Sequence, residues 1–357
     1  MVSVFQGLRV LDLSSVLAGP SVASFFAELG ATVIKVENPR TKGDVTRSWK
    51  LPGESPESDI SAYFASVNYR KEYRWIDLAD EANRVAIEQL IQTSDVIIVN
   101  FKEGDDRKFR LTAEDVHTIQ PKAIYASLKG FQSDANRIAY DVVLQAECGF
   151  MFMNGNDSSG PLKMPVALID VIAAHQLKEG ILCALLHRAA SGKGSVVRTT
   201  LEESALSALV NQASNYLMQG HVAEAAGSLH PNIAPYGETF RCGDGKQLVL
   251  AVGSDVQFKL LIEELHMSEL AQDEHFITNA QRVIHRQKLA PLLESAFLTK
   301  PRNEWIEQLT RIGIPVGAIR SMDEVLATNV AKSMIREEII DGHLTRRLSS
   351  VSFTLVS

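Results

Sequence analysis

The sequence has few cysteines and no apolar run long enough to span a membrane. Its three cysteines, Cys148, Cys183 and Cys242, lie far apart among 357 residues and form no C-x-x-C pair, so neither a zinc site nor a disulfide framework is indicated. No uncharged apolar stretch approaches the roughly 18 residues that cross a bilayer, and the N-terminal segment lacks the pattern of a secretory signal. We therefore expect a cytoplasmic protein that holds no metal and does not enter a membrane.

Positive charge is also not in excess. The chain has 36 Lys and Arg against 43 Asp and Glu, a formal charge of −7, which argues against binding along a nucleic-acid backbone. Local basic clusters could still hold a phosphorylated small molecule. With 45% hydrophobic residues, the chain is long enough to bury the cores of two domains.

The first 37 residues have the pattern of a βαβ unit. Residues 8–13 ("LRVLDL") and 32–37 ("TVIKVE") predict buried strands, and residues 21–30 between them predict a helix that starts near Pro20 and ends at Gly30. Strand and helix patterns continue to alternate up to residue 128. This alternation predicts an α/β fold, with a Rossmann-like large domain built on a parallel sheet.

The pattern changes after a long helix predicted from 171 to about 190, which Gly192 would end. Residues 227–253 are rich in Gly and Pro, and Asp244-Gly245 between two strand-like runs predicts a β-hairpin. We therefore expect a large domain over 1–205 with a C-terminal return at 321–357, a helical connection at 206–225, and a small α+β domain at 226–320.

The turn of the βαβ unit does not have the sequence of a dinucleotide site. Glu37 ends the second strand, where an acid could bind a ribose, yet the turn "SSVLAGP" (14–20) lacks G-x-G-x-x-G. Its proline also removes one N–H from the start of the helix that would face a pyrophosphate. The residues favour a purely structural βαβ unit over an NAD or FAD site.

Asp170 is out of place in "PVALIDVIAAHQ" (165–176), since burying a charge among aliphatic residues is unfavourable. Its place at the start of the predicted long helix offers a reason: free N–H groups and the helix dipole could keep the carboxylate ionised. From the residues alone, Asp170 can be a helix N-cap, which is a common role for Asp, or a reactive group. The two roles are compatible.

Several segments together resemble the family III CoA-transferases, which include formyl-CoA, carnitine-CoA and bile-acid-CoA transferases and, as an isomerase relative, α-methylacyl-CoA racemase. The segments are "LRVLDLSSVLAGPSVASFFAELGATVIKVENP", "GDVTR", "SDVIIVNFKEG", "AYDVVLQAECGFM" and "LHPNIAPYGETFRCGDGKQLVLAVGSDVQF". The resemblance covers about 300 residues and implies a homodimer of interlocked rings. It also implies transfer of CoA from an acyl-CoA donor to a small carboxylic acid, with no tightly bound cofactor.

The resemblance assigns roles to particular residues. It makes Asp170 the nucleophile that carries an aspartyl-CoA thioester, and the backbone of Leu17 and Ala18 the partner of the oxyanion. It assigns CoA binding to residues of "NYRKEYRWIDL" (68–78), "NFKEGDDRKFRL" (100–111) and "SLKGF" (127–131). These are Lys71, Asn100, Phe101, Lys102, Lys108 (or Arg107) and Lys129.

Alternatives remain at most of these positions. "VLAGP" can be an ordinary tight turn, each basic residue can be solvated surface charge, and Glu103 and the acids at 105 and 106 depart from the family pattern around adenine. Tyr140-Asp141 replaces the His-Asp pair of the racemases, and Asp141 can be a structural or CoA-proximal residue or a second catalytic acid. His175 and His230 have no assigned role. The other functions considered are α-methylacyl-CoA epimerisation and CoA binding without catalysis.

Overall fold

A six-stranded parallel sheet forms the centre of the protein, whose computed structural model describes residues 3–133 and 137–356. The strands, in chain order, are β1 (Arg9–Asp12), β2 (Thr32–Glu37), β3 (Lys71–Trp75), β4 (Val96–Val99), β5 (Ile124–Lys129), β6 (Gly155–Asn156), β7 (Gly160–Pro161), β8 (Ser195–Thr200), β9 (Tyr236–Arg241), β10 (Gln247–Ala251), β11 (Val316–Ala318), β12 (Ile335–Ile340) and β13 (His343–Leu348). The α-helices are α1 (Ala18–Glu28), α2 (Ala62–Ser66), α3 (Arg84–Gln92), α4 (Asp105–Lys108), α5 (Ala113–Ile119), α6 (Asp141–Glu147), α7 (Phe150–Met153), α8 (Leu168–Ser191), α9 (Leu201–Ser207), α10 (Val210–Gln219), α11 (Asp255–Glu264), α12 (Asn279–Ile284), α13 (Arg286–Phe297), α14 (Arg302–Arg311), α15 (Met322–Leu326) and α16 (Asn329–Met334).

The strand order of the central sheet is β3-β2-β1-β4-β5-β8. Val10 of β1 is in register with Val33 of β2 on one side and with Val96 of β4 on the other, and both pairings are parallel. On one side of β1 the sheet continues to β2 and β3, and on the other side it continues to β4, β5 and β8. The direction in which the chain adds strands therefore reverses at β1. In parallel α/β sheets the crevice beyond the carboxyl ends of the strands at such a point is where ligands bind. The loops that follow β1 and β4 therefore define where a site is expected.

Helices cover both faces of this sheet. Phe26 of α1 and Leu177 of α8 are buried on one face, whereas Ile91 of α3 and Val116 of α5 are buried on the other. The predicted βαβ unit is confirmed, with its helix displaced by two or three residues toward the N-terminus of the chain. The mixed α/β architecture is confirmed as well.

The described chain divides into two compact units. The first comprises 1–151, 163–223 and 329–357, and the second comprises 152–162 and 224–328. In the second unit β9, β10 and β11 form an antiparallel sheet, and β9 and β10 are joined by the predicted turn at Asp244-Gly245. The segment 152–162, which contributes the β6–β7 hairpin to the second unit, is not indicated by the sequence patterns.

The residues predicted as a helical connection, 206–225, contain the end of α9 and all of α10, and up to 223 they belong to the first unit. No helix in the described ranges has both the length and the apolar character needed to cross a membrane.

The long helix α8 begins earlier than its pattern predicts. It starts at Leu168, so Asp170 is its third residue, and it ends at Gly192, which has a φ of 70° and terminates the helix in the left-handed conformation. Two of the three extra residues, Leu168 and Ile169, are aliphatic, and their pattern alone gives no signal for the start of the helix. Asp170 thereby lies within the first turn of the helix.

Lys71 lies in the core of the first unit, in a cluster of buried charges. Its ammonium donates hydrogen bonds to Asp12 Oδ2 at 2.8 Å, to the Pro20 carbonyl at 2.8 Å and to Asn68 Oδ1 at 2.9 Å. The side chain is fully buried. Three bonds use all the donors of an ammonium group. This position corrects the predicted contact of Lys71 with a CoA phosphate, since no donor faces solvent.

A second buried lysine completes this cluster. Lys35 Nζ lies 3.8 Å from Asp12 Oδ2 and 3.2 Å from Asp44 Oδ2, and it donates to the Ser14 carbonyl at 2.8 Å. Burial by itself raises the pKa of Asp12, but the charges of Lys35 and Lys71 outweigh it and hold that pKa below its usual value. The cluster thus fixes the chain where it leaves β1.

We predict that Lys71→Met lowers the free energy of unfolding by about 3–5 kcal/mol, because it leaves Asp12 with an incompletely compensated buried charge. Urea denaturation measures the change. Lys193→Met is the matched control: Lys193 is exposed after the end of α8, and its replacement should change stability by less than about 0.5 kcal/mol. A Lys71→Met protein of normal stability that has lost CoA binding would contradict this account.

Candidate functional site

The loop between β1 and α1 is held in an unusual backbone conformation. Val16 has a φ of 73°, which is unfavourable for a β-branched residue. Its N–H lies 3.1 Å from Asp44 Oδ2, and the preceding residue, Ser15, exchanges two hydrogen bonds with the Asn100 side chain, at 3.0 and 2.8 Å. Hydrogen bonds to side chains from two other loops therefore hold the backbone in this conformation and compensate for its strain.

The strained loop leads directly into the N-terminus of α1. Leu17 is the N-cap residue and Ala18 the first helical residue, and no described residue accepts a hydrogen bond from the N–H of either. Gly19 follows in close contact with the loop, since a Cβ atom there would lie 2.3 Å from Ser14 Oγ. Two unpaired N–H groups at a helix N-terminus form a site that favours negative charge.

Asp170 does not cap its own helix. The N-cap of α8 is Ala167, which makes no side-chain capping bond. The N–H groups of Ile169 and Asp170 instead donate to Oδ1 of Asp141, at 2.7 and 3.3 Å. The N-cap interpretation of Asp170 is therefore wrong, and so is the expectation that helix N–H groups stabilise its charge. Asp141 makes the capping contacts.

The Asp170 carboxylate is left half-buried and without a hydrogen-bond donor among the residues that the structure describes. Burial raises its pKa to about 7, and the nearby negative charge of Asp141 adds to the rise. At neutral pH a large part of Asp170 is ionised, and this ionised form is more basic than an ordinary carboxylate. Such a group is well suited to act as a nucleophile or as a general acid or base.

Tyr63 is a neighbour of Asp170 that sequence reasoning missed. Burial raises its pKa to about 12, and the charges of Asp170 and Asp141 add to the rise, so the phenol stays protonated at neutral pH. Its ring packs edge-on against Trp49, with centroids 5.0 Å apart. Nothing in the spacing of "SAYFAS" points to the site, because α2 reaches it through tertiary packing.

Two cavities of the first unit meet around the loops that follow β1 and β4. A cavity of about 400 Å³ is lined by Asp170 and by Leu17 and Ala18. A larger cavity of about 900 Å³ has apolar walls that include Ile76 and Phe109. Both are also lined by Ser15 and Lys102, so the two are adjacent.

Four of the predicted CoA-binding residues line the cavity of Asp170, one lines another cavity, and one is buried in the core. Asn100, Phe101, Lys102 and Lys129 line the smaller cavity with Asp170. The ammonium of Lys102 is exposed and has no partner among the described residues, whereas that of Lys129 is paired with Glu103 Oε2 at 2.5 Å. The amide of Asn100 is engaged by Ser15, so this residue shapes the loop.

Lys108 and Lys71 lie elsewhere. Lys108 lines a separate cavity of about 380 Å³, and its ammonium lies 5.4 Å from the centroid of the Phe109 ring. The structure therefore does not bring Lys108 together with Asp170. The next residue, Phe109, lines the larger cavity with its apolar ring. Lys71 is buried as described above. The family resemblance assigns these lysines by their place in a motif, and a motif does not show on which side of a strand or turn each side chain lies.

The two unassigned histidines have local partners. His175, on α8, accepts a hydrogen bond at Nδ1 from Lys178 Nζ at 3.1 Å. His230, in the second unit, packs against Tyr236 with ring centroids 5.2 Å apart. Across residues 3–133 and 137–356, His, Cys, Asp and Glu side chains form no group of three suited to a metal ion.

Comparison with known proteins agrees with this geometry. Residues 5–352 match the model of CoA-transferase family III. The chain is 35% identical over 328 residues to a succinate–glutarate CoA-transferase of Agrobacterium fabrum, covering 90% of this chain and 81% of that protein. It is 33% identical to a succinyl-CoA:glutarate CoA-transferase of Mus musculus, covering 90% and 73% respectively.

A solved structure is similar over almost the whole chain. A CAIB/BAIF family protein from Brucella suis superimposes with a TM-score of 0.88 and 35% sequence identity, covering 99% of this chain and 93% of that one. The match of the family model to nearly every residue, and relatives that are enzymes of this kind, lead to one conclusion: this chain belongs to CoA-transferase family III.

Proposed function

We propose that this protein transfers CoA between an acyl-CoA donor and a carboxylic acid through a thioester on Asp170. One observation carries the proposal: a carboxylate with a pKa raised to about 7 shares a cavity of about 400 Å³ with two unpaired helix N–H groups. A basic carboxylate and an oxyanion site in one cavity are what acyl transfer through a covalent intermediate needs. CoA is a substrate in this scheme, and no bound cofactor takes part.

The proposed reaction starts when an oxygen of ionised Asp170 attacks the thioester carbon of the donor. The C–S bond breaks, CoA leaves as a thiolate with the electron pair, and a mixed anhydride remains on Asp170. The thiolate then attacks the aspartyl carbonyl carbon, which releases the donor acid and leaves CoA on Asp170 as a thioester. The acceptor carboxylate repeats these two steps in reverse order and departs as the new acyl-CoA.

Each step passes through a tetrahedral intermediate with a negatively charged oxygen. In our proposal the N–H groups of Leu17 and Ala18 donate to this oxygen. They are fixed before the reaction because Asp44 and Asn100 hold the preceding loop. Donors that need no rearrangement give more stabilisation than donors that must be recruited from water.

The two adjacent cavities suggest how CoA lies. We propose that its nucleotide occupies the larger cavity, with the adenine against the apolar side chains of Ile76, Leu78 and Phe109. The pantetheine arm would then pass Ser15 and Lys102, which line both cavities, and bring the sulfur to Asp170. Lys102, with its unpaired ammonium, is the residue best suited to contact a phosphate.

The substrates are proposed to be short dicarboxylic acids. Two of the relatives are named as transferases of succinyl-CoA or succinate with glutarate. Lys129 also lines the cavity of Asp170, and we propose that the second carboxylate of such a substrate replaces Glu103 as the partner of its ammonium. Succinyl-CoA with glutarate is therefore the first pair to assay, with acetyl-CoA and monocarboxylic acids as the comparison.

Epimerisation has less support from the site. It needs a second acid/base group across the substrate α-carbon, and the position of the racemase histidine is held by Tyr140, which is 54% exposed. The adjacent Asp141 is engaged by backbone N–H groups of α8.

We propose that the protein is cytoplasmic, because its cysteines are free thiols. Cys148, Cys183 and Cys242 are all free thiols, and Cys183 is exposed. Exposed thiols persist in reducing compartments and become oxidised in oxidising ones.

Asp170→Asn should abolish CoA transfer, because an amide is not a nucleophile, and the enzyme should carry no covalent adduct. The wild-type chain incubated with succinyl-CoA should gain the mass of CoA, and hydroxylamine should convert Asp170 to a hydroxamate that is detectable in its peptide. Intact-protein and peptide mass spectrometry measure both results. An active Asp170→Asn enzyme, or a wild-type adduct on another residue, would contradict the proposal.

The same variant should not lose stability. The pKa of Asp170 is raised in the folded protein, so ionising it opposes folding; this effect is absent below about pH 4 and grows as the pH rises to 7. Asp170→Asn should therefore melt at the same temperature as the wild type or higher at pH 8, and the difference should vanish near pH 4.

Lys102→Met should weaken CoA binding by about 1–2 kcal/mol, the contribution of one charge-assisted hydrogen bond, without changing stability. Isothermal titration calorimetry measures the affinity and urea denaturation the stability. Lys108→Met is the matched control, since it removes an exposed lysine at the end of α4 that faces another cavity. Equal affinity losses in the two variants would show a diffuse charge effect and contradict the proposed contact.

We also propose a homodimer, in line with the interlocked rings that the family resemblance implies. Helix α10 has no buried residue, and Leu217 and Met218 on it are 81% and 76% exposed. Adjacent exposed apolar residues of this kind are typical of an interface.

Leu217→Lys should shift the mass measured by gel filtration with light scattering from dimer toward monomer, because it would place a charge in the apolar interface. Val256→Lys, at a residue of α11 that is 72% exposed, is the control and should leave the mass unchanged. A wild-type protein that is a monomer would exclude the proposed dimer.

A further inference from the structure

Asp141 has a place in the fold that its family motif does not explain. It is the first residue of α6, and its Oδ1 accepts the N–H of Ile169 at 2.7 Å and of Asp170 at 3.3 Å, on α8. The N–H of Leu168, the first residue of α8, bonds to the Val166 carbonyl at 2.7 Å. The first turn of α8 therefore has no N–H group left for the Asp170 side chain.

A buried glutamine fixes the orientation of this carboxylate. Gln145 lies one turn after Asp141 on α6 and is 1% exposed. Its Nε2 donates to Asp141 Oδ2 at 2.5 Å, and its Oε1 accepts the N–H of Met164 at 2.7 Å. Gln145 thus donates to one oxygen of Asp141 and backbone N–H groups donate to the other, so both carboxylate oxygens are engaged.

We propose that Asp141 is a positioning residue that makes Asp170 reactive: it removes the helix N–H groups from the nucleophile and places a fixed negative charge beside it. This inference rests on the proposed covalent mechanism and adds a cause for the reactivity of its nucleophile. Asp141 contacts the backbone of Asp170 and acts through it, without touching the reacting atoms.

The charge of Asp141 favours the covalent step for a simple reason. Two like charges side by side destabilise the ionised form of Asp170, and they add no such penalty to the anhydride or the thioester, which are neutral at this position. As the Asp170 oxygen bonds to the acyl carbon and the C–S bond breaks, the negative charge moves to the CoA sulfur. The repulsion by Asp141 is relieved in the same step. Burial of Asp170 acts in the same direction, and the raised pKa agrees with both causes.

Other charged or titratable groups line the cavity of Asp170 or interact with its charge. Across the described cavity lining and on α2 they are Tyr63, Lys102, Glu103, Lys129, Arg137 and Tyr140. Glu103 is paired with Lys129, which holds the pKa of Glu103 below its usual value. Among these described carboxylates, Asp141 is the one that accepts a hydrogen bond from the backbone N–H of Asp170.

The test is the pH dependence of adduct formation in Asp141→Asn. An asparagine can still accept the α8 N–H groups through its oxygen but carries no charge. The rate at which succinyl-CoA forms the Asp170 adduct, measured by rapid quench and mass spectrometry, should rise with pH as Asp170 ionises. In Asp141→Asn the midpoint of this rise should fall by about one pH unit or more, the size of a like-charge effect. The rate above the midpoint should fall several-fold, because a less basic carboxylate is a weaker nucleophile.

Asp115→Asn is the matched control. Asp115 accepts the N–H of Thr112 in the capping box of α5 and lines none of the cavities described above. This variant should lose a comparable amount of stability and keep the wild-type midpoint. Asp141→Ser, which can cap without charge, gives the same comparison if the asparagine variant does not fold.

The outcomes are distinct. A midpoint in Asp141→Asn equal to that of the wild type would overturn the inference and leave Asp141 as a helix cap. A wild-type protein that forms no adduct on Asp170 would instead overturn the proposed function.

Discussion

The site depends on how the first turn of α8 is hydrogen-bonded. An acidic residue in that position normally gains from the free N–H groups of its own helix. Here those groups donate to Asp141, which belongs to another helix, and Asp170 is left half-buried with a pKa raised to about 7. The reactivity that we propose for Asp170 follows from this exchange of partners, because a carboxylate stabilised by two N–H groups would be a poor nucleophile.

The opposite side of the cavity depends on buried charge. Lys35 lies between Asp12 and Asp44, and Asp44 in turn accepts the N–H of Val16, which has a φ of 73°. The strain of that residue is tolerated because the charge cluster and Asn100 fix the backbone on both sides of it. The N–H groups that follow are thereby presented to the cavity without a competing partner. One side of the site thus has donors without acceptors, and the other has an acceptor without donors.

Sequence periodicity predicts the α/β class and the βαβ unit, but it does not indicate the segment 152–162 of the second unit. Local sequence patterns predict the βαβ unit with its strand at 32–37 and the turn at Asp244-Gly245, because residues close in the chain determine these elements. Asp170 stood out because a charge among aliphatic residues needs a cause. The relation of Asp141 to Asp170 could not be predicted, since they are 29 residues apart and meet only through the packing of α6 on α8. The i,i+4 spacing of Asp141 and Gln145 was a visible signal that their side chains meet.

The lysines show the limit of motif spacing. A motif places Lys71 near CoA, but β3 is paired with β2, and the side chain turns into the core toward Asp12. Lys102 follows β4 at the point where the strand order reverses, and its side chain is exposed at the cavities. Strand order and buried partners decide which lysine reaches solvent. Neither can be predicted from the local sequence.

The central claim is that an oxygen of Asp170 becomes part of the chemistry, and isotope transfer tests it most directly. If the acceptor acid carries ¹⁸O in its carboxylate, the acceptor attacks the aspartyl-CoA thioester, and breakdown of the anhydride by CoA thiolate leaves one labelled oxygen on Asp170. A single turnover in unlabelled water should therefore raise the mass of the Asp170 peptide by one ¹⁸O substitution, and repeated turnover should carry it toward two. A peptide that remains unlabelled after many turnovers would contradict the covalent mechanism.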